Sequence, residues 1–293
     1  MSNPIFTGAG VAIITPFNDD LTVNYEKFGE FIDFQVNNGT DAIIVCGTTG
    51  ECSTLTEEEH MQCIRFCVER VGGKVPVIAG TGSNDTATAI MLSKEAENCG
   101  ADALLLVTPY YNKSSQRGLI AHFTAIADAV NIPVIIYDIP GRTGVTLTID
   151  TFKELQKHKN IVAVKEANGD ISFVAKLCAE TNLDIYSGND DQIVPIMSLG
   201  GKGVISVLSN CLPKETHEMT NACLNGDYDT ARDLQLKLLE FTNALFCEVN
   251  PIPVKEALNL MGWNVGGYRL PLYPMAESNA EYLKSTMEKI NLI

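Results

Sequence analysis

The stretch Ile161-Val162-Ala163-Val164-Lys165-Glu166-Ala167 ends an apolar, β-branched run in a lysine. Such a run reads as a buried strand. Side chains alternate along a strand, so Lys165 shares a face with Ala163 and Glu166 takes the other. Desolvation there lowers a lysine's pKa and frees the amine to attack a carbonyl. A lysine that snorkels from the strand end, or pairs with Glu166, is the competing reading.

Groups that would serve such an amine end other apolar runs. Gly47-Thr48-Thr49-Gly50-Glu51 offers two hydroxyls and loop N–H groups, a cradle for a carboxylate or only a tight turn. Tyr110 and Tyr111 are relay hydroxyls or ordinary loop aromatics. Tyr137 shares the face of Ile135, so it points inward beside Lys165 or is a plain core tyrosine. Arg142, between Gly141 and Gly144, is an anion clamp or a solvated arginine. Together they fit one chemistry. Lys165 forms an imine with an α-keto acid whose carboxylate lies against Thr48 and Thr49. A proton leaves the adjacent carbon, and the enamine adds to an aldehyde held partly by Arg142. Tyrosine and threonine hydroxyls relay protons.

These residues need a frame that gathers strand ends. Strand signals fall at 11–15, 42–46, 75–79, 103–107, 134–137, 161–165, 184–187 and 203–207, with amphipathic helical runs between them. Thr56-Glu57-Glu58-Glu59 is a capping box, and Ser83 or Asn84 is the predicted cap of the next helix. Eight strands alternating with helices predict an α/β (β/α)8 TIM barrel over residues 1–224, with the chemistry at the carboxyl ends of the strands. A doubly wound open sheet competes, but no dinucleotide fingerprint follows the first strand. Residues 225–293 carry helical signals only and read as a small C-terminal helical appendage, for packing or oligomer support. Leucines 234, 238 and 245 lie at helical spacing in it, and Pro251 and Pro253 open its second helix.

Composition excludes several classes. With 36 acidic and 21 basic residues the net charge is −15, which disfavours nucleic acid and anionic membranes as partners. The first cation is Lys27, and no apolar run reaches membrane-span length, so a signal peptide and a membrane anchor are not expected. Nine scattered cysteines without a CxxC pair read as reduced thiols of a cytoplasmic protein. The four histidines have no metal-ligand spacing, and neither metal nor cofactor is predicted.

The joint set GTTGE, TPYYN, YDIPGRTG, VKEA, SGNDD and GVISV resembles the pyruvate-dependent class I aldolases of the N-acetylneuraminate lyase superfamily. The resemblance runs from Gly10-Val11-Ala12 through Asn250-Pro251-Ile252-Pro253-Val254-Lys255 to Arg269-Leu270-Pro271. It implies members that condense pyruvate with L-aspartate 4-semialdehyde in lysine and diaminopimelate biosynthesis. It makes Lys165 the Schiff-base lysine, Tyr137 the proton donor and acceptor, and Thr48 and Tyr111 the rest of a relay. Tyr111 would reach the site of a neighbouring subunit in a homotetramer or dimer. Thr49 and the main chain of Gly188 and Ile205 would hold pyruvate, and Arg142 the second substrate's carboxylate. Sister aldolases acting on sialic or keto-deoxy sugar acids, and a barrel that binds a keto acid without catalysis, are the alternatives.

The sequence departs from the family pattern in two places. Asp138 stands where the family usually has Asn. The positions matching a lysine-feedback site are Cys52, Ser53, Glu57, His60, Asn84, Thr88 and Tyr110. Inhibited members carry a glutamate where Thr88 stands, so weak or absent feedback by lysine is expected.

Overall fold

The computed structural model describes residues 3–293. Eight parallel strands close into a barrel in chain order, β1 (Gly8–Ala12), β2 (Ala42–Val45), β3 (Val77–Gly80), β4 (Ala103–Val107), β5 (Val134–Asp138), β6 (Ile161–Glu166), β7 (Asp184–Ser187) and β8 (Gly203–Ser206). β8 pairs with β1 to complete the ring. The helices around it are α1 (Tyr25–Asn37), α2 (Glu57–Val71), α3 (Thr86–Asn98), α4 (Gln116–Asp128), the single turn α5 (Pro140–Thr143), α6 (Ile149–Leu155), α7 (Ile171–Glu180), α8 (Ile193–Ser198) and α9 (Pro213–Leu224). Three more follow: α10 (Tyr228–Ala244), α11 (Ile252–Leu260) and α12 (Glu277–Lys289). α10 lies on α8 and α9, and α12 lies on α10 and α11. No described helix is long and apolar enough to cross a membrane.

Alternation along each strand divides the apolar residues between two cores. Ile44, Ile78, Leu105, Ile135, Ala163 and Ile205 fill the barrel interior. Val45, Leu104, Leu106, Ile136 and Val164 face the helices. Phe6 plugs the amino-terminal end of the barrel. Its ring stacks on Tyr186 at 4.3 Å, and the Tyr186 hydroxyl donates to the Phe6 carbonyl at 2.7 Å.

Two local expectations are corrected. β1 is Gly8–Ala12, not 11–15. Glycines at 8 and 10 mask it as a strand signal, and at Gly10 a Cβ would come within 2.8 Å of Ile44 Cδ1 and Phe6 Cζ, so both side chains would have to shift to admit one. Thr15, placed in that strand by the sequence, instead donates from its hydroxyl to the Gly50 carbonyl at 2.7 Å, bracing the loop after β2. The cap of α3 is Asp85 rather than Ser83 or Asn84; its carboxylate accepts from the Thr88 N–H at 2.8 Å. The Thr56–Glu59 capping box opens α2 as predicted.

Candidate active site

In-register pairing of β5 with β6 sets Tyr137 beside Lys165 at the carboxyl end of the barrel. Both side chains are buried, and the Lys165 Nζ lies 4.2 Å from the centroid of the Tyr137 ring. Lys165 makes no hydrogen bond or ion pair with any described residue. Burial brings its pKa down to about 7 from an ordinary 10.5. Asp190 works against that fall and Arg142 adds to it. Glu166 points outward from the barrel and does not neutralise the lysine, as alternation predicts.

A second buried lysine provides an internal comparison. Lys255 of α11 is fully enclosed, and its Nζ donates to Glu51 Oε1 at 2.7 Å and to the Thr15 and Gly267 carbonyls. A buried ammonium held for structure is paired and hydrogen-bonded in this way. Lys165, with only an aromatic face against it, is not.

The Tyr137 phenol is pushed well above its usual range by burial, against the lowering pull of Arg142 and of the nearby Thr48 hydroxyl. Thr48 is half-buried and Thr49 buried in the loop after β2. Gly188 closes the space beside the lysine. A Cβ there would stand 3.2 Å from Lys165 Cε and 2.7 Å from Ala167 Cβ, so a side chain would displace the lysine stem. The Gly188 N–H already donates to the Glu166 carbonyl at 2.7 Å. Ile205 contributes its side chain to the barrel interior.

A cavity of about 380 Å³ opens at the mouth, lined by Thr48, Cys52, Tyr110, Arg142 and Thr143 among others. A small space of about 30 Å³ beneath it shares Thr48 and Cys52 and is floored by Tyr137. Tyr111 stands away from its own rim, 91% exposed, with a left-handed φ of 70° that a bulky residue adopts only under strain.

Sequence reasoning missed how far the helical tail enters this site. Asn250, just before α11, donates from Nδ2 to the Thr49 hydroxyl at 3.0 Å, while its carbonyl accepts from Arg142 Nη2 at 3.0 Å. One tail residue thus joins two rim residues, and Lys255 anchors Glu51 of the same loop. Asp190 of the SGNDD motif braces the neighbouring strand end. It is buried, and its Oδ2 accepts the Val207 and Leu208 N–H groups at 2.9 and 3.0 Å. A charged residue inside an apolar helical run, as in Ile252-Pro253-Val254-Lys255, is the signal that marks Lys255 in the sequence.

A closed (β/α)8 barrel with an unpaired, desolvated lysine ending its sixth strand, under a phenol, defines a lyase of the class I aldolase type. Residues 5–290 match the model of the dihydrodipicolinate synthetase family. A 4-hydroxy-tetrahydrodipicolinate synthase of Lachnoclostridium phytofermentans is 60% identical over 292 residues, 99% of each chain. The crystal structure of dihydrodipicolinate synthase from Aquifex aeolicus superposes with a TM-score of 0.96 at 46% identity, covering 98% of this chain and 99% of that one. The chloride-inhibited enzyme of Acinetobacter baumannii, complexed with pyruvate, gives 0.96 at 43%, covering 98% and 99%. The chain belongs to the dihydrodipicolinate synthetase family.

Proposed function

We propose that this protein condenses pyruvate with L-aspartate 4-semialdehyde to 4-hydroxy-tetrahydrodipicolinate, a step of lysine and diaminopimelate biosynthesis in the cytoplasm. The observation that carries the reading is the contrast between Lys165, buried without an acid, and Lys255, buried with one. With a pKa of about 7, Lys165 is half neutral at pH 7 and ready to attack.

The neutral amine adds to C2 of pyruvate, and the carbinolamine loses water to give the imine. Tyr137 supplies and recovers the protons, passing them through Thr48 and the Tyr111 of a second copy. That copy belongs to a homotetramer or dimer; the strained, outward Tyr111 backbone supports this arrangement. Thr49 and the main chain of Gly188 and Ile205 hold the pyruvate carboxylate. Loss of a C3 proton gives the enamine, whose C3 bonds to the aldehyde carbon of the second substrate. Arg142, at the open mouth, holds that substrate's carboxylate. Its amine then attacks the imine carbon, closing the ring and releasing Lys165. Thr49 and Arg142 are both tied to Asn250, so the grips on the two substrates share one support.

Reduction with borohydride in the presence of pyruvate, followed by peptide mass spectrometry, tests the first half. A pyruvate-derived adduct on the Lys165 peptide is expected, and its absence there overturns the imine assignment. Comparing turnover of L-aspartate 4-semialdehyde with that of a sugar aldehyde tests the second half.

A further inference from the structure

The alternation that turns Tyr137 and Lys165 into the barrel turns the next residues, Asp138 and Glu166, out of it. These two are also partners in register, on adjacent strands. Neighbouring strands lie about 4.8 Å apart, so the two carboxyl groups leave the same face side by side. Both residues are buried, at 0% and 1% exposure, in the layer between sheet and helices. Asp138 Oδ1 accepts from the Leu147 N–H at 3.4 Å, and Glu166 Oε1 from the Asn168 N–H at 2.7 Å. The other oxygen of each, Oδ2 and Oε2, has no partner.

No cation approaches either group among the described residues. The charged side chains that act most on Glu166 are Asp138 and Asp170, the latter at the start of α7, and both are acids. Lys153 of α6 is engaged by Asp150 and Glu180. Lys165 and Tyr137 face the opposite way. Two carboxyl groups on paired strand positions in a dry layer, with no counter-charge, do not both ionise readily near neutrality.

We propose that Asp138 and Glu166 form a proton-sharing carboxyl pair that positions the ends of β5 and β6, and with them Tyr137 over Lys165. Loss of the shared proton in mild alkali sets two like charges across the strand pair and loosens that alignment. Burial raises both groups, Asp138 to about 7 and Glu166 to about 8, and for Glu166 the neighbouring Asp138 adds to the rise. The charge on Glu166 is also felt by the Tyr137 phenol, which it raises further. The pair thus touches the site through both the backbone and the field. Both residues are positioning residues; neither reaches a substrate.

The test uses the full-length protein and the variants Asp138→Asn and Glu166→Gln. An amide at either position donates to the remaining carboxylate, so no proton has to be retained. Infrared difference spectra of the wild type, referenced to each variant, should show a protonated carboxyl band at pH 7 that both variants lose. The melting temperature of the wild type relative to Lys165→Met, Asp138→Asn and Glu166→Gln separates the terms: the pair's contribution should fall from pH 6 to pH 9, since folded-state pKa values raised above the unfolded ones favour the folded state at low pH, while that of Lys165 runs the other way. The wild type should therefore lose melting temperature relative to Asp138→Asn as the pH is raised from 6 to 9. The absence of the band, or superimposable melting profiles, overturns the shared proton.

The kinetic arm rests on the imine reading, whereas the spectroscopic and melting arms do not, so the two can fail separately. The ratio of kcat at pH 9 to kcat at pH 7 should rise about threefold or more in Asp138→Asn. A band that is present together with an unchanged ratio overturns the positioning role. Should Asp138→Asn fail to fold, Glu166→Gln carries the same comparisons.

Discussion

Lys165→Met should make the protein more stable, and by an amount that depends on pH. Methionine keeps the length and apolar stem of lysine and removes the ionisable end. The lysine pKa falls from 10.5 in the unfolded chain to about 7 in the fold, so below pH 7 the folded state must carry a buried charge that the unfolded chain keeps in water. With 1.36 kcal/mol per pK unit, this disadvantage is about 5 kcal/mol at pH 6 and about 2 kcal/mol at pH 9. It vanishes above the unfolded pKa. The sign follows from proton counting: between the two pKa values the unfolded state binds the extra proton, so the lysine's own contribution to wild-type stability rises with pH, opposite to that of the Asp138–Glu166 pair, and only the difference between wild type and variant isolates it. Urea unfolding of wild type and Lys165→Met at fixed protein concentration and pH 6, 7.5 and 9 measures the gap. The variant should lead at pH 6 and its lead should narrow by about 3 kcal/mol by pH 9. A gap that does not change with pH, or a wild type that is the more stable at pH 6, refutes the claim of a desolvated, uncharged amine.

The paired lysine should behave in the opposite way. Lys255→Met strands Glu51 in the interior and should cost about 3–5 kcal/mol in the same assay, while the double variant with Glu51→Gln recovers much of it; a single variant no less stable than wild type would contradict the pairing. Tyr111→Phe should lower kcat about 10²-fold with an unchanged melting temperature. Mixing Tyr111→Phe subunits with Lys165→Met subunits should restore part of the rate, because a mixed pair contains one complete site; no recovery rules out a Tyr111 that crosses between copies. Sub-millimolar L-lysine should leave the condensation rate unaffected, since Thr88 gives no charge partner to an ammonium and Glu57, in the mouth cavity, repels a carboxylate. Half-inhibition in that range, measured at saturating pyruvate, would show the opposite.

How much of this could be read beforehand depended on the range of each interaction. Lys165, Tyr137 and the outward turn of Glu166 were legible because a two-residue period is local and survives without any knowledge of the fold. The barrel followed from eight repeats of the same alternation. β1 was displaced because glycine carries no apolar signal, and its two glycines answer to neighbours on other segments, Phe6 and Ile44 for Gly10. The tail was underrated for a related reason. The bonds Asn250–Thr49 and Lys255–Glu51 join residues 201 and 204 positions apart, and no window of sequence contains both ends. The unpartnered oxygens of Asp138 and Glu166 were likewise hidden: alternation placed each outward, but only strand register sets one against the other.

The reach of the tail bears on how the protein comes into being. Translation delivers all eight staves before Asn250 leaves the ribosome, so a nascent chain can close its ring while Thr49 and Arg142 still lack their common brace. A barrel closed at that stage presents Lys165 from a finished sixth strand while the Thr49 loop and Arg142 wait, unjoined, for a residue well beyond the last strand.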